Sequence, residues 1–313
     1  MRGLRQIRPF AKLCAATVEG CSGTWIASLL EPLFDLCFYV SPHHRNVNPI
    51  SDFKATQWKR PYRCIRCARR ARIGPSALTC TACGFSVAST AGFFDLLPAR
   101  AQPRFQVFDT AYGALYDTAI SNRGVATVGG KLMWGADMPR VFSDMARYAA
   151  THEGEVVLDV PAGGGVTLSW APFHQGLLVG ADLSGGMLRR AAARRRSLGL
   201  EDHVSLCRAD ASELPLLDRS VDRIVSFMGL HVISEQAAAL VEFRRVLRPG
   251  RLLIGTTLVA DAPPPWLAAV RLARLSGFFV PPDAGALERY ARQAGFKRWR
   301  AERTGALLHF RAE

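Results

Sequence analysis

Val156-Val-Leu-Asp159-Val-Pro161-Ala-Gly163-Gly-Gly165, followed twelve residues later by Leu177-Leu-Val-Gly-Ala-Asp182, decides how this chain folds. The first apolar run ends in an acid and a glycine cluster, which reads as a strand feeding a tight turn. The second apolar run also ends in an acid. Further strands are expected over 204–207, 223–228 and 251–257, and helices over 187–198, 235–247 and 284–294, the second stopping at Arg248-Pro249-Gly250. Strands that are apolar throughout and alternate with helices predict a parallel, doubly wound sheet covered on both faces. Strands around 298–302 and 307–311 close it as an antiparallel hairpin. The expected class is therefore α/β, with a mostly parallel seven-stranded sheet.

In such sheets a ligand lies beyond the carboxyl ends of the strands, where the strand order reverses. Glycines there let the backbone approach it, because no Cβ intervenes. Asp182 stands seventeen residues beyond Gly165, where a carboxylate accepts both ribose hydroxyls and repels a 2′-phosphate. The third glycine that close helix–strand packing in a dinucleotide site requires is replaced by Leu168, and no Gly-Lys-Ser/Thr follows. Asp210, in Ala209-Asp-Ala211, ends the next strand, where an acid and a neighbouring N–H read an adenine edge. Each of Asp159, Asp182 and Asp210 also suits a helix N-cap. Three at successive strand ends form the informative constellation.

Four of the eight cysteines form Cys64-Ile-Arg-Cys67 and, after twelve residues, Cys80-Thr-Ala-Cys83-Gly84. Two thiolates on one tight turn bind an ion from the same side, and a second such turn completes a tetrahedron suited to structural Zn²⁺. Gly84 supplies the positive φ of the knuckle. The competing readings are chance pairs or redox dithiols, but no thioredoxin-like βαβ unit surrounds them. Cys14, Cys21 and Cys37 lack pairing, and Cys207 reads as a buried strand residue.

The net charge of +14 is uneven: residues 1–104 hold 15 Lys/Arg against 5 Asp/Glu. A basic third of this kind is a footprint for nucleic acid or another anionic surface, and equally a solvated tail in an arginine-rich chain. The first eighteen residues contain no acid, yet lack a signal peptide's apolar core and cleavage site. The apolar run 24–40 is broken by Glu31 and Asp35 and is short for a bilayer. Clustered cysteine pairs and the missing secretory signal lead to a cytoplasmic expectation. Phe108, Tyr112 and Tyr116 recur at i, i+4 and i+8 as one helix face, read as core packing or a pocket cap. Arg194-Arg-Arg196, and Arg244, Arg245 and Arg248, read as solvated helix faces. The expected organisation is an extension over 1–60, a ribbon over 61–98, a linker over 99–103 and the α/β domain over 105–313.

Asp159-Val-Pro-Ala-Gly-Gly-Gly165, Asp182, Asp210-Ala211, Leu214-Pro-Leu-Leu-Asp-Arg-Ser-Val-Asp222 and Val246-Leu-Arg-Pro-Gly250 together resemble the class I S-adenosylmethionine-dependent methyltransferases of the type 11 branch, with their Rossmann-like sheet. The front segment, four cysteines ending in Gly92-Phe-Phe-Asp-Leu-Leu-Pro98, resembles the zinc ribbon that precedes ribosomal-RNA guanine methyltransferases. Pro161 departs from the family, which has glycine there. The resemblance implies S-adenosylmethionine as cofactor, held by Asp159, Ala162, Gly163, Gly165, Asp182, Leu183, Asp210, Ala211 and Phe227. It also implies structural zinc on Cys64, Cys67, Cys80 and Cys83. His231 stands where this branch often carries a histidine, as a base for a hydroxyl or ring nitrogen or as an orienting, packing residue. Ser226-Phe-Met-Gly-Leu-His231 lacks the Asn/Asp-Pro-Pro-aromatic sequence of enzymes acting on exocyclic base amines. The implied activity is methyl transfer to an RNA base, or to a small molecule such as a quinone ring carbon. A non-catalytic cofactor- or RNA-binding protein is the remaining reading.

Overall fold

The structure, a computed structural model, describes residues 61–74, 76–98, 106–173 and 176–313. The extension 1–60 with its three cysteines, the linker 99–103 and the expected boundary at 105 lie outside the described residues. Among the described residues no helix is long and apolar enough to cross a membrane.

Among the described residues eleven strands form one sheet in the order β1-β2-β3-β4-β7-β6-β5-β8-β9-β11-β10. The seven expected strands are β5 (Val156–Asp159), β6 (Leu177–Asp182), β7 (Val204–Arg208), β8 (Val221–Phe227), β9 (Leu247–Leu258), β10 (Trp299–Thr304) and β11 (Leu307–Ala312). β5 to β9 run parallel, and β11 is antiparallel to both β9 and β10. The expectation of seven strands is corrected by the cysteine segment, which supplies β1 (Arg72–Ile73), β2 (Ala77–Thr79), β3 (Ser86–Thr90) and β4 (Phe93–Asp95). β4 pairs parallel with β7, Phe94 opposite Cys207 and Asp95 opposite Arg208. An edge strand offers unpaired N–H and C=O groups, and the ribbon satisfies those of β7.

Side chains alternate across the sheet. Val156, Leu158, Val179, Ile224 and Leu253 face one apolar cluster; Val157, Leu178, Val225 and Ile254 face the other. Helices α3 (Met138–Tyr148) and α4 (Gly185–Ser197) cover the second cluster, and α5 (Gln236–Val246) and α7 (Ala284–Gln293) cover the first. Tyr62, Leu78, Phe94 and Leu96 of the ribbon belong to that first cluster, and burying each such side chain contributes about 1.5–3 kcal/mol.

Helices do not fall between all strands. Among the described residues only a 3-10 turn, Val166–Ser169, separates β5 from β6, and β7 runs to β8 without a helix. There the ribbon covers the sheet instead. Tyr62 bridges to Leu216, Arg63 N–H donates to Pro215 C=O at 2.9 Å, and the Tyr62 hydroxyl meets Ser205 Oγ at 2.9 Å.

Before β5 lie a 3-10 turn (Gln106–Asp109), α1 (Ala111–Ser121) and α2 (Arg123–Trp134); α6 (Trp266–Arg274) follows β9. The stripe Phe108–Tyr112–Tyr116 is therefore not one helix face, because Thr110 caps α1 and leaves Phe108 in the turn. The arginine runs are solvated only in part: Arg196 is exposed, but most of the others are held by neighbours. Arg194 and Arg195 are part-buried, Arg245 bonds Glu242, Asp218 and two backbone carbonyls, and Arg248 pairs with buried Asp222.

Candidate active site

The strand order reverses between β6 and β8 on either side of β5, and a cavity of about 530 Å³ opens at the carboxyl ends there. After β5 the chain turns through Gly163 and Gly165, with φ of +53° and +75°. A Cβ on Gly165 would come 3.1 Å from that of Ala191. Gly165 thus provides the close approach to α4 that a third glycine supplies in a dinucleotide fold. Pro161 packs its ring against Gly229, where a Cβ would lie 2.3 Å from the ring.

Asp182 connects the two halves of the site. Its Oδ2 accepts the Gly163 N–H at 2.7 Å and its Oδ1 the Ser184 N–H at 2.8 Å. Burial lifts its pKa to about 6, against those two N–H groups, which favour the anion. Each oxygen keeps a second lone pair for a ligand. Asp210 Oδ1 accepts from the backbone and hydroxyl of Ser212 at 2.8 and 2.6 Å. Ala162, Gly163, Asp182, Leu183, Asp210, Ala211 and Phe227 all line the cavity.

Asp159, Gly165 and His231 do not line it. Asp159 is buried beneath the turn, where burial raises its pKa to about 7 against a hydrogen bond to Thr167. His231 is 2% exposed, stacked on Phe279 at 5.3 Å, and its Nδ1 accepts the Leu258 N–H at 3.3 Å. Burial depresses its pKa to about 3, so the ring is neutral.

Sequence reasoning missed Asp117, Arg194 and Met228, whereas Phe108 and Tyr116 line the cavity as the pocket-cap reading of their stripe allowed. Asp117 of α1 lines the cavity and pairs with Arg194 of α4 at 3.2 Å; Arg194 also bonds Ser121 at 2.7 Å and the Gly164 carbonyl. A Cβ on Gly164 would fall 1.9 Å from Asp117 Oδ1, so this glycine admits α1 to the turn. No local signal marks Asp117, whose partners lie over forty residues away. Tyr116, Ile120, Met145, Phe227, Met228, Val232 and Ile233 form an apolar wall. The charged residues of the lining are Asp117, Asp182, Asp210 and Glu235, with no Lys, Arg or His among the described lining residues.

In the ribbon, the sulfurs of Cys64, Cys67, Cys80 and Cys83 all lie within 4.8 Å of one another, with Cys64–Cys83 at 3.7 Å and Cys67–Cys80 at 3.6 Å. These separations are too long for disulfides. They match the edge of about 3.8 Å that Zn–S bonds of about 2.3 Å give a tetrahedron. Gly84 has φ of +71°, as expected, and Ala68 after Cys67 takes the same conformation at +59°.

Residues 157–250 match the family described as methyltransferase domain. The methyltransferase GfsG of Streptomyces halstedii is 39% identical over 137 residues, 43% of this chain and 48% of GfsG. The demethylmenaquinone methyltransferase of Clavibacter sepedonicus is 34% identical over 128 residues, 41% of this chain and 48% of that enzyme. The chain thus spans about half the length of these curated relatives. A solved structure of a SAM-dependent methyltransferase from Aquifex aeolicus aligns over 58% of this chain and 92% of that one, at 22% identity and a TM-score of 0.44. Residues 157–250 of this chain are thus similar to methyltransferase domains.

Proposed function

We propose that this protein transfers a methyl group from S-adenosylmethionine to a flat, apolar small molecule, and that a structural zinc ribbon completes its sheet. One observation carries the reading: the Asp182 carboxylate and the glycine turn are bonded together in a cavity that is also lined by Tyr116, Ile120, Phe227, Met228, Val232 and Ile233. The donor set fits the cofactor. Asp182 accepts the two ribose hydroxyls, Asp210 with Leu183 and Ala211 surrounds the adenine, and the backbone at Gly163 and Gly164 follows the methionine part. With Asp117 paired to Arg194, the carboxylates of Asp182, Asp210 and Glu235 and the lack of a cation among the described lining residues favour a cationic ligand.

The bound sulfonium supplies a methyl group that is already a good electrophile. What the chain contributes is alignment and exclusion of water. Tyr116 and Ile120 of α1 close one side, and Phe227, Met228, Val232 and Ile233 present the acceptor surface. A flat, neutral acceptor such as the quinone named for the Clavibacter sepedonicus relative suits that wall. His231 is a positioning residue in this reading, joining the turn after β8 to the end of β9 and to Phe279.

A second reading, an RNA base as acceptor, is favoured by the exposed Arg66, Arg69, Arg70 and Arg72 of the ribbon. Tritiated-methyl transfer into lipid extract and into total RNA, each from cells lacking the protein, separates the two. Label in the lipid fraction is expected; label in RNA alone replaces the first reading with the second. Absence of S-adenosylmethionine binding in calorimetric titration overturns both.

A further inference from the structure

Helix α2 reads Arg123-Gly-Val-Ala-Thr-Val-Gly-Gly-Lys-Leu-Met-Trp134, and none of its residues is buried. Val125, Val128 and Leu132 stand at i, i+3 and i+7, one stripe of an α-helix, and Leu132 is 76% exposed. A helix on a globular protein normally turns such a stripe inward. The same inversion occurs on both neighbours of α2. Leu115 of α1 is 71% exposed; Leu272 of α6 and Leu275 just beyond it are 69% and 81% exposed. α2 packs on both α1 and α6, with the Trp266 ring against Gly135. Tyr112 meets Phe278 at 5.6 Å, joining α1 to the segment after α6. The exposed apolar side chains therefore belong to one group of packed elements.

Charge on this group has one sign. Arg123, Lys131, Arg271 and Arg274 are exposed among the apolar side chains. Between 110–134 and 266–279 the one acid is Asp117, which is buried and paired with Arg194. Nearby, Asp109 accepts from Ser184 at the start of α4, and Asp137 caps α3.

We propose that α1, α2 and α6 dock on an anionic lipid surface. Exposed aliphatic and aromatic side chains interleaved with arginine and lysine are the composition of helices that lie in a bilayer interface. A second copy of the chain suits the face poorly, because a two-fold contact sets its four cations against themselves. RNA suits it poorly too, because Tyr112 is the one exposed aromatic side chain among the described residues of these helices, and the aliphatic side chains that make up the rest offer a base nothing to stack on. Phe108, which contacts Tyr112 and Phe278, and Tyr116, which stacks on Tyr112, line the cavity, so these elements border the proposed acceptor site. That an acceptor enters from the lipid rests on the transferase reading; attachment to the surface does not.

The test is co-sedimentation of the full chain with phosphatidylcholine vesicles, with and without phosphatidylglycerol. Binding is expected with phosphatidylglycerol, and Leu132→Glu with Leu275→Glu weakens it at least about tenfold. Lys131→Glu, Arg271→Glu and Arg274→Glu together remove the preference for phosphatidylglycerol. Affinity for S-adenosylmethionine stays at the wild-type value in every variant, which also shows that they fold. Failure to bind anionic vesicles overturns the proposal. So does undiminished binding by the double leucine variant, which places lipid contact elsewhere in the chain. A dimer or an RNA complex that the leucine substitutions abolish assigns the face to that partner instead. Loss of cofactor binding in the wild type strikes the transferase reading alone.

Discussion

Asp182 and Gly163 are joined by a 2.7 Å hydrogen bond from the glycine N–H to the carboxylate. The acid that ends β6 and the turn that follows β5 therefore move together. A ligand held by one is registered against the other. The Ser184 N–H on the second oxygen extends the same unit to the start of α4.

Replacing Asp182 with Asn removes the charge and half of this unit. Hydrogen bonds to a charged group are worth about 1.5–3 kcal/mol, so calorimetric titration should show affinity for S-adenosylmethionine falling about 10- to 150-fold. Because burial holds the carboxyl at about 6, wild-type affinity should rise between pH 5 and 7 as the anion forms. The Asn variant should show a flatter profile, and an unchanged affinity would remove Asp182 from the site.

His231 should show itself in stability against pH rather than in rate. Its pKa in the folded state, about 3, lies below the unfolded value near 6.5. Its contribution is present above pH 6.5 and is lost as pH falls towards 3, with a slope of about 1.4 kcal/mol per pH unit. Asp159 and Asp182 act in the opposite sense, losing stability as pH rises from about 4 to 7. Both proteins share that background, so denaturant titration of His231→Asn against wild type from pH 6.5 to 4 isolates the histidine. The variant should be less acid-sensitive and, at pH 7, keep kcat within about tenfold of wild type. A larger loss of kcat with unchanged acid sensitivity would mark a base.

Zinc should be tied to the whole sheet. Elemental analysis should find about one ion per chain, and Cys80→Ser with Cys83→Ser should abolish it. Since β4 pairs with β7 and the ribbon shares a core with α5 and α7, chelation should lower the single melting transition by at least about 5 °C. A ribbon that melts alone, with the main transition unmoved, would contradict this.

Gly164→Ala should push α1 off the turn, because the new Cβ overlaps the Asp117 carboxylate. Overpacking of this kind costs about 1–3 kcal/mol, read as weaker cofactor affinity. Adding Asp117→Ala removes the colliding group and should restore most of it. Arg194→Ala strands the nearly buried Asp117 without its partner and should cost about 1–3 kcal/mol in denaturant titration. Failure of the double variant to recover would place the fault in the turn itself.

Much of the fold is legible in residues that act locally. A parallel strand buried on both faces must be apolar along its length, so β5 to β9 stand out. Positive φ at Gly84, Gly163 and Gly165 follows from the same local logic. At Ala68 it is hidden, because alanine rarely carries it.

What the sequence determined by itself is the alternation of strands and helices, the acids Asp182 and Asp210 at strand ends, and the pairing of four cysteines. Each follows from spacings of a few residues or one strand-to-strand step. Only the tertiary structure decided that β4 completes the edge of β7, that Tyr62 and Arg63 cover a gap where a helix was expected, and that Arg194 reaches Asp117. It also set His231 under Phe279 and away from the cavity. Those outcomes depend on groups that meet across dozens of residues. A side chain's charge, exposure and role are set by such neighbours, and spacing along the chain carries no record of them.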